Sequence, residues 1–348
     1  MDFAHTEAEL EFRDRVRTVL SDCPDRSDEP LLYRKLGTAG LLGADWPTAY
    51  GGRDAPSSYT SIVSEELVRA GVPDTLFINS VLTVGRLLLR IGTEEQKTRL
   101  LPGIARGESF AGVLYTEADA GSDLAGLTTS ATAVAGGFEI SGTKVFGLKS
   151  PLTDVGLCAA RTTEHDRYGG LTLFLVDMHA PGVHITELDS VPDEPFHVVT
   201  LDRVAVTGAD VVGGLGNGWS VLAEALPLER MGFDFALRAE RWYALGRSAP
   251  EDPCSAVESA RYAARVEAAR LLSWRASATL DAVHTSTAKW YGGELAAELA
   301  LWALTRYGPE APAEIDRAWR EAPGLRLSGG TSEMMLQTLA EHLPDLVD

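Results

Sequence analysis

The sequence predicts an α+β protein in which helices, strands and helices follow one another in three blocks. Apolar residues recur at helical steps over residues 1–108. They switch to short strand-like runs, punctuated by Gly, Pro and Asp, over residues 109–212. Helical spacing returns over residues 213–348. Strands and helices do not alternate, and no G-x-G-x-x-G follows a first strand, so a doubly wound dinucleotide-binding sheet is not expected. A chain of 348 residues is long enough for two or three domains with an ample core.

In the first block, Phe3, Leu10, Phe12, Val16 and Leu20 predict one amphipathic helix. Residues 31–36 predict a short second helix closed by Gly37. A turn-rich break follows at Gly43-Ala-Asp-Trp-Pro-Thr-Ala-Tyr-Gly-Gly52. Residues 59–70 resume helical spacing, and the mostly apolar residues 77–91 predict a helix buried on most sides. Thr93-Glu-Glu-Gln96 is a capping box, and Pro102 is expected to end the helix that it opens. In the second block, strands are predicted over residues 111–115, 128–134, 138–140, 155–160, 171–176, 183–188 and 198–206. Their spacing favours a small antiparallel β-domain. In the third block, residues 219–245 predict one long helix with a kink at Pro227. A polar linker covers 247–253. A helix over 256–280 is expected to bury Ala260, Ala264, Ala268 and Leu271, with Arg261, Arg265 and Arg270 off that stripe. Further helices are predicted over 288–304 and 331–343, the last stopped by Pro344.

Net charge is -19, from 50 acidic and 31 basic residues, which disfavours nucleic acid and anionic membrane surfaces as partners. No stretch approaches the length of an apolar membrane span, and the acidic N-terminus lacks a secretory apolar core. The three cysteines, Cys23, Cys158 and Cys254, match no zinc or CxxC pattern and fit a reducing compartment. The expectation is a cytoplasmic protein without a metal.

The stretch Tyr115-Thr-Glu-Ala-Asp-Ala-Gly-Ser-Asp123 reads as a strand entering a Gly-rich polar loop, where anionic or electron-rich ligand atoms can be held. Its neighbours are Leu88-Leu-Arg-Ile-Gly-Thr-Glu-Glu-Gln-Lys97, Ile140-Ser-Gly-Thr-Lys144, Leu171-Thr-Leu-Phe-Leu-Val-Asp177 and Ser328-Gly-Gly-Thr-Ser-Glu333. In this order the set resembles the acyl-CoA dehydrogenase family. The resemblance implies an N-terminal helical domain, a middle β-domain and a C-terminal four-helix bundle. It implies FAD as cofactor, an acyl-CoA or carrier-bound acyl thioester as substrate, a place in lipid metabolism, and an electron-transfer flavoprotein as electron acceptor.

The family chemistry needs a carboxylate base for the α-proton and N–H donors where enolate charge grows. Many members carry the base immediately before Gly-Thr in the C-terminal motif, and this chain has Gly329 there. A second group carries it on the first helix of the C-terminal domain, followed by Arg. Leu228-Glu-Arg230 matches that pattern and makes Glu229 the candidate base. Most helical glutamates are solvated, but the paired glycine at 329 favours the functional reading. Gly329 is expected to offer its amide to the thioester oxygen, and Arg230 to face the substrate.

The resemblance places Tyr115 and Thr116 beside the flavin ring. Ser122 would lie near the pyrophosphate or the acyl-carrier arm, and Thr331 and Glu333 at the start of the last helix would face polar ligand atoms. The family's Trp-x-Thr reads Phe146 and Leu148 here; Phe146 can stack and Leu148 cannot donate. An Arg-x-x-Phe-Gly stretch and a Gln-x-x-Gly-Gly element, which complete each FAD site across the dimer interface, are missing. Arg241-Trp-Tyr-Ala-Leu-Gly246 and Arg306-Tyr-Gly-Pro309 stand near their places. This predicts either a partner subunit of the same family in a hetero-oligomer, or self-assembly with FAD held by other residues. The alternatives are a catalytically degenerate structural subunit and a flavin monooxygenase of the same fold.

Overall fold

The computed structural model describes residues 4–23, 25, 28–163, 167–249 and 255–342. The first block consists of α1 (Glu7–Ser21), α2 (Glu29–Thr38), α3 (Ser57–Arg69), a rod and α6 (Glu94–Ala105). The rod joins α4 (Thr75–Phe77), a π-helical stretch (Ile78–Gly85) and α5 (Arg86–Ile91). It is buried along most of its length, as its composition predicts. Both sides of the Thr93/Gln96 capping box are formed at the start of α6. Phe12, Val16 and Leu20 carry the buried stripe of α1, whereas Leu10 points outward; Phe3 lies outside the described residues.

Two local expectations are corrected. Gly37 does not close α2 but lies inside it, where an added Cβ would stand 2.2 Å from the carbonyl of Arg106. The helix needs a glycine there to lie against the chain that follows α6. Pro102 does not end α6, which runs on to Ala105. Only one helical N–H is lost so near the end, and the Arg106 amide still donates to the Pro102 carbonyl at 3.1 Å.

The second block forms a sheet of β1 (Ala111–Leu114), β2 (Ser130–Val134), β3 (Gly137–Leu148), β4 (Val155–Arg161), β5 (Leu171–Asp177), β6 (Val183–Leu188), β7 (Phe196–Val206) and β8 (Val211–Val212). The order is β6-β7-β3-β2-β4-β5-β8, with β1 on β4. Most neighbouring strands pair antiparallel, as expected, but β1 runs parallel to β4, and β2 meets β4 in parallel at Ser130 and Arg161. Neither pair is joined by a hairpin, so no tight turn forces them antiparallel. The β3–β7 ladder shifts register between Lys144 and Gly147, and there Phe146 takes φ +60°. Leu114, Ile140, Cys158, Phe174 and Val199 fill this domain's core. Cys23 and Cys158 are buried free thiols, and burial pushes Cys158 up to about 11. Cys254 lies outside the described residues.

The third block consists of α7 (Gly218–Glu229), α8 (Phe233–Arg247), α9 (Ser255–Thr279), α10 (Ala282–Tyr307), α11 (Ala313–Leu325) and α12 (Ser332–Glu341). The expected long helix over 219–245 is two helices. Pro227 sits inside α7, and the chain breaks instead at Gly232, with φ +85°. In α9 the buried residues are Val266, Ala269, Ser273, Ala276 and Ser277, while Ala260 and Ala264 are exposed. An alanine-rich helix shows little contrast between its faces, and the larger Tyr262 and Val266 set which side turns inward. Helix α11 was not expected, although Ile315, Ala318, Ala322 and Leu325 recur at helical steps and are buried. The last helix begins where expected, with Thr331 as the cap of α12, and Pro344 lies outside the described residues. Among the described residues, no helix is long and apolar enough to cross a membrane.

Candidate active site

Helix α7 packs against the π-helical stretch and β5, and it delivers Glu229 as its last residue. Arg230 follows at the break. Its Nε donates to the Gly329 carbonyl at 2.6 Å. Gly329 and Gly330 hold φ values of +66° and +103°, backbone that glycine adopts without strain. A Cβ built on Gly329 would lie 3.7 Å from Oε1 of Glu229. Gly329, far along the chain, is therefore a neighbour of Glu229 and Arg230.

The electrostatics of this corner follow from burial. Burial raises the Glu229 carboxyl above its ordinary value, against the pull of the Arg230 and Lys289 charges. Burial lowers Arg230, and the Glu229 charge opposes it. Glu224, the nearest competitor, is turned outward in an ion pair with Arg90 at 3.0 Å. Behind the break, Arg86 lies 3.4 Å from Sδ of Met231 and 2.7 Å from Oδ2 of Asp45. That anchors the break to the first block. Sequence reasoning missed Arg86; its only mark was a lone cation inside an apolar run.

Tyr115 is buried at the end of β1, and its hydroxyl has no hydrogen-bond partner among the described residues. Burial, then the Glu229 charge, then Cys158, hold its phenol well above the ordinary value. The half-buried Thr116 comes next, its carbonyl accepting from the Val145 amide at 2.9 Å. Underneath lies an ion pair to which the sequence reading gave no role. Lys144 Nζ donates to Glu117 at 2.8 Å and to the Tyr115 carbonyl at 3.1 Å. Glu117 also accepts from both the amide and the hydroxyl of Thr128 and from the amide of Thr129. Burial opposes its ionisation, but Lys144 and these donors bring it down to about 2. The Gly-rich loop is thereby closed around one carboxylate. The signal in the sequence was a lysine in the middle of a strand.

The other expected residues line the surroundings. Phe146 is 55% exposed, with its ring edge-on to Phe196 at 5.8 Å. Ser122 is exposed at the loop tip, next to the Asp123–Arg167 ion pair. The hydroxyl of Thr331 accepts from the Met334 amide at 3.2 Å. Glu333 is exposed, and its own backbone amide, followed by the Thr331 hydroxyl, keeps its carboxyl low. Glu229, Arg230 and Gly329 thus converge, and the Glu229 charge acts on Tyr115. Among the described residues, no hydrogen bond or ion pair joins the side chains of Thr116, Ser122, Phe146, Thr331 or Glu333 to that cluster.

Comparison with known proteins gives a consistent answer. Family models for the acyl-CoA dehydrogenase N-terminal, middle and C-terminal domains match residues 6–108, 112–204 and 216–343. Acyl-CoA dehydrogenase FadE34 of Mycobacterium tuberculosis is 37% identical over 204 residues, which cover 56% of this chain and 28% of FadE34. FadE29 of the same organism is 29% identical over 338 residues, 89% of this chain and 86% of FadE29. Among solved structures, the Tcur3481-Tcur3483 steroid ACAD superposes with a TM-score of 0.88 at 26% identity, over 99% of this chain and 98% of that one. The chain belongs to the acyl-CoA dehydrogenase family of FAD-dependent oxidoreductases and has that family's helical, β and helical domain order.

Proposed function

We propose that this chain performs the α,β-dehydrogenation of an acyl thioester with Glu229 as the base. The observation that carries the reading is the meeting of Glu229 with Gly329: the missing side chain at 329 leaves its space to the carboxylate. A glutamate at 329 would need a left-handed backbone and would crowd Glu229, so the two positions suit one base between them.

A carboxylate partly withdrawn from water is a better base towards a weak carbon acid, and burial raises Glu229 in that sense. The substrate α-carbon gives its proton to an oxygen of Glu229. The Gly329 amide donates to the thioester oxygen as negative charge grows there. Arg230 fixes the next peptide by holding the Gly329 carbonyl. FAD, held by this chain, would supply the hydride acceptor at the β-carbon, so that a proton from the α-carbon and a hydride from the β-carbon leave the substrate. Tyr115, Thr116, Ser122, Phe146, Thr331 and Glu333 are the residues proposed to hold the cofactor. Two features support the fit: a largely exposed aromatic ring at Phe146, suited to a planar group, and the unpartnered buried hydroxyl of Tyr115. Ser122 and Arg230 are proposed to face the substrate arm.

The solved steroid ACAD, at 26% identity over nearly the whole chain, supports a bulky polycyclic acyl group as the first substrate to test. The missing Arg-x-x-Phe-Gly and Gln-x-x-Gly-Gly elements support a related partner subunit that completes the FAD site. An electron-transfer flavoprotein is the proposed acceptor.

The test is to purify the chain alone and together with a related subunit, then record flavin absorbance before and after adding a panel of acyl-CoAs. Bleaching of the flavin by at least one ester, lost in Glu229→Gln, is the expected result. A loaded flavin that no ester reduces would end the reading. A colourless protein in every mixture would favour the degenerate structural subunit.

A further inference from the structure

Lys289 is the most deeply buried cation of the third block, with 0% exposure, and neither the chemistry above nor the sequence motifs assign it a task. It lies on α10, the helix that backs both arms of the site. One arm is the break after Glu229, where an added Cβ on Gly232 would stand 2.9 Å from that of Ala288, the residue beside Lys289. The other arm is the loop 326–332 that carries Gly329. Lys289 Nζ donates to the Arg326 carbonyl at 3.3 Å, and the same carbonyl accepts from the Ser332 amide at 3.0 Å. A second residue of α10, Glu294, grips the loop from the far side. It accepts from the Ser332 hydroxyl at 2.5 Å and pairs with the Arg326 guanidinium at 2.8 Å. The ammonium also sits 5.3 Å from the centre of the Phe235 ring.

A lysine withdrawn from water is costly, and a single carbonyl acceptor does not compensate for it. The charged groups around it are Asp234 of α8, Arg230 at the break, Glu294 of α10, Glu229 of α7, Glu333 of α12 and Arg326 of the loop that it holds. We propose that Lys289 is a positioning residue for the Glu229 site. It holds the loop 326–332 by its Arg326 carbonyl, which fixes Gly329 beside the carboxylate, and it places a positive charge behind the same corner. The proposal rests on Glu229 being the base. Burial brings Lys289 down to about 8, and Glu229, whose other charged neighbour is Arg230, is drawn back towards ionisation by the lysine.

The experiment is an infrared titration of the Glu229 carboxyl, identified by the band that Glu229→Gln removes. It is run on the flavin-loaded protein for the parent chain, Lys289→Met and Lys289→Arg, alongside the kcat and KM of flavin reduction. Lys289→Met should raise the protonation midpoint of Glu229 by about one pH unit. It should lower kcat about tenfold with KM nearly unchanged, because the oxyanion donor shifts. Lys289→Arg should restore the midpoint. If Lys289→Met does not fold, Lys289→Gln keeps a donor for the Arg326 carbonyl without the charge, and it should shift the midpoint equally. A midpoint that stays put in the charge-free variants, with activity falling only as folded protein is lost, would overturn the proposal. Full turnover by Glu229→Gln would instead remove the base assignment, and the infrared shift would still be readable.

Discussion

Shortening the candidate base by one methylene tests the mechanism most directly. In the folded chain Oε1 of Glu229 lies in van der Waals reach of the Gly329 position, at 3.7 Å. Glu229→Asp withdraws the carboxylate by about 1 Å, the advance of one carbon–carbon bond. The end of α7 is fixed by the Arg230–Gly329 bond and by Arg86 against Met231, so the helix cannot slide to compensate. A displacement of that size at a reacting group costs about 10²-fold, whereas Glu229→Gln removes the base and should cost about 10⁴-fold. The assay is stopped-flow bleaching of bound flavin at saturating acyl-CoA, with flavin content measured for each variant. Both variants should keep their flavin. Rates within tenfold of the parent for Glu229→Gln would refute the assignment, and equal losses in both variants would refute the geometric argument.

Other consequences follow from the same contacts. Glu117→Gln leaves Lys144 buried and unpaired and should destabilise the fold by about 3 kcal/mol, read by urea unfolding. The pH dependence has a definite sign. The folded carboxyl of Glu117, at about 2, lies below its ordinary 4.5, so its contribution is present above that value and lost as pH falls towards 2. That contribution is at most about 3 kcal/mol, and nearer about 2 with solvent screening; acid unfolding of the parent and Glu117→Gln should therefore converge at low pH. Gly232→Ala forces a left-handed alanine against Ala288 and should cost about 2 kcal/mol, seen as a lower melting temperature. Thr116→Ala and Phe146→Ala should both weaken flavin retention, measured by equilibrium dialysis, and unchanged occupancy would count against their assignment.

What could be read from the sequence was governed by rules that act over a few residues. The Thr93/Gln96 cap, the buried helix over 77–91, most of the strands and the start of the last helix at Thr331 are set by neighbours within one turn or one pleat. The pairing of Glu229 with Gly329 was also legible, because two motifs far apart changed together. Where local rules gave ambiguous advice, they misled. Pro102 looked like a helix end and is not, since a helix can forgo one hydrogen bond when packing holds it, and the long helix expected to kink at Pro227 is broken at Gly232 instead. Gly37 looked like an end and is a point of close approach.

By itself, then, the sequence determined the order of the three blocks, the caps, and which carboxylate and glycine to examine. Only the tertiary structure decided that α7 stops at Glu229, that Gly232 rather than Pro227 makes the turn, and that α9 buries Val266 instead of Ala264. The same holds for the burial of Lys144 and Lys289 beneath the two sides of the site. Each of these depends on partners on other elements of the fold, and burial, which sets both the cost and the use of a charge, has no value until those partners meet.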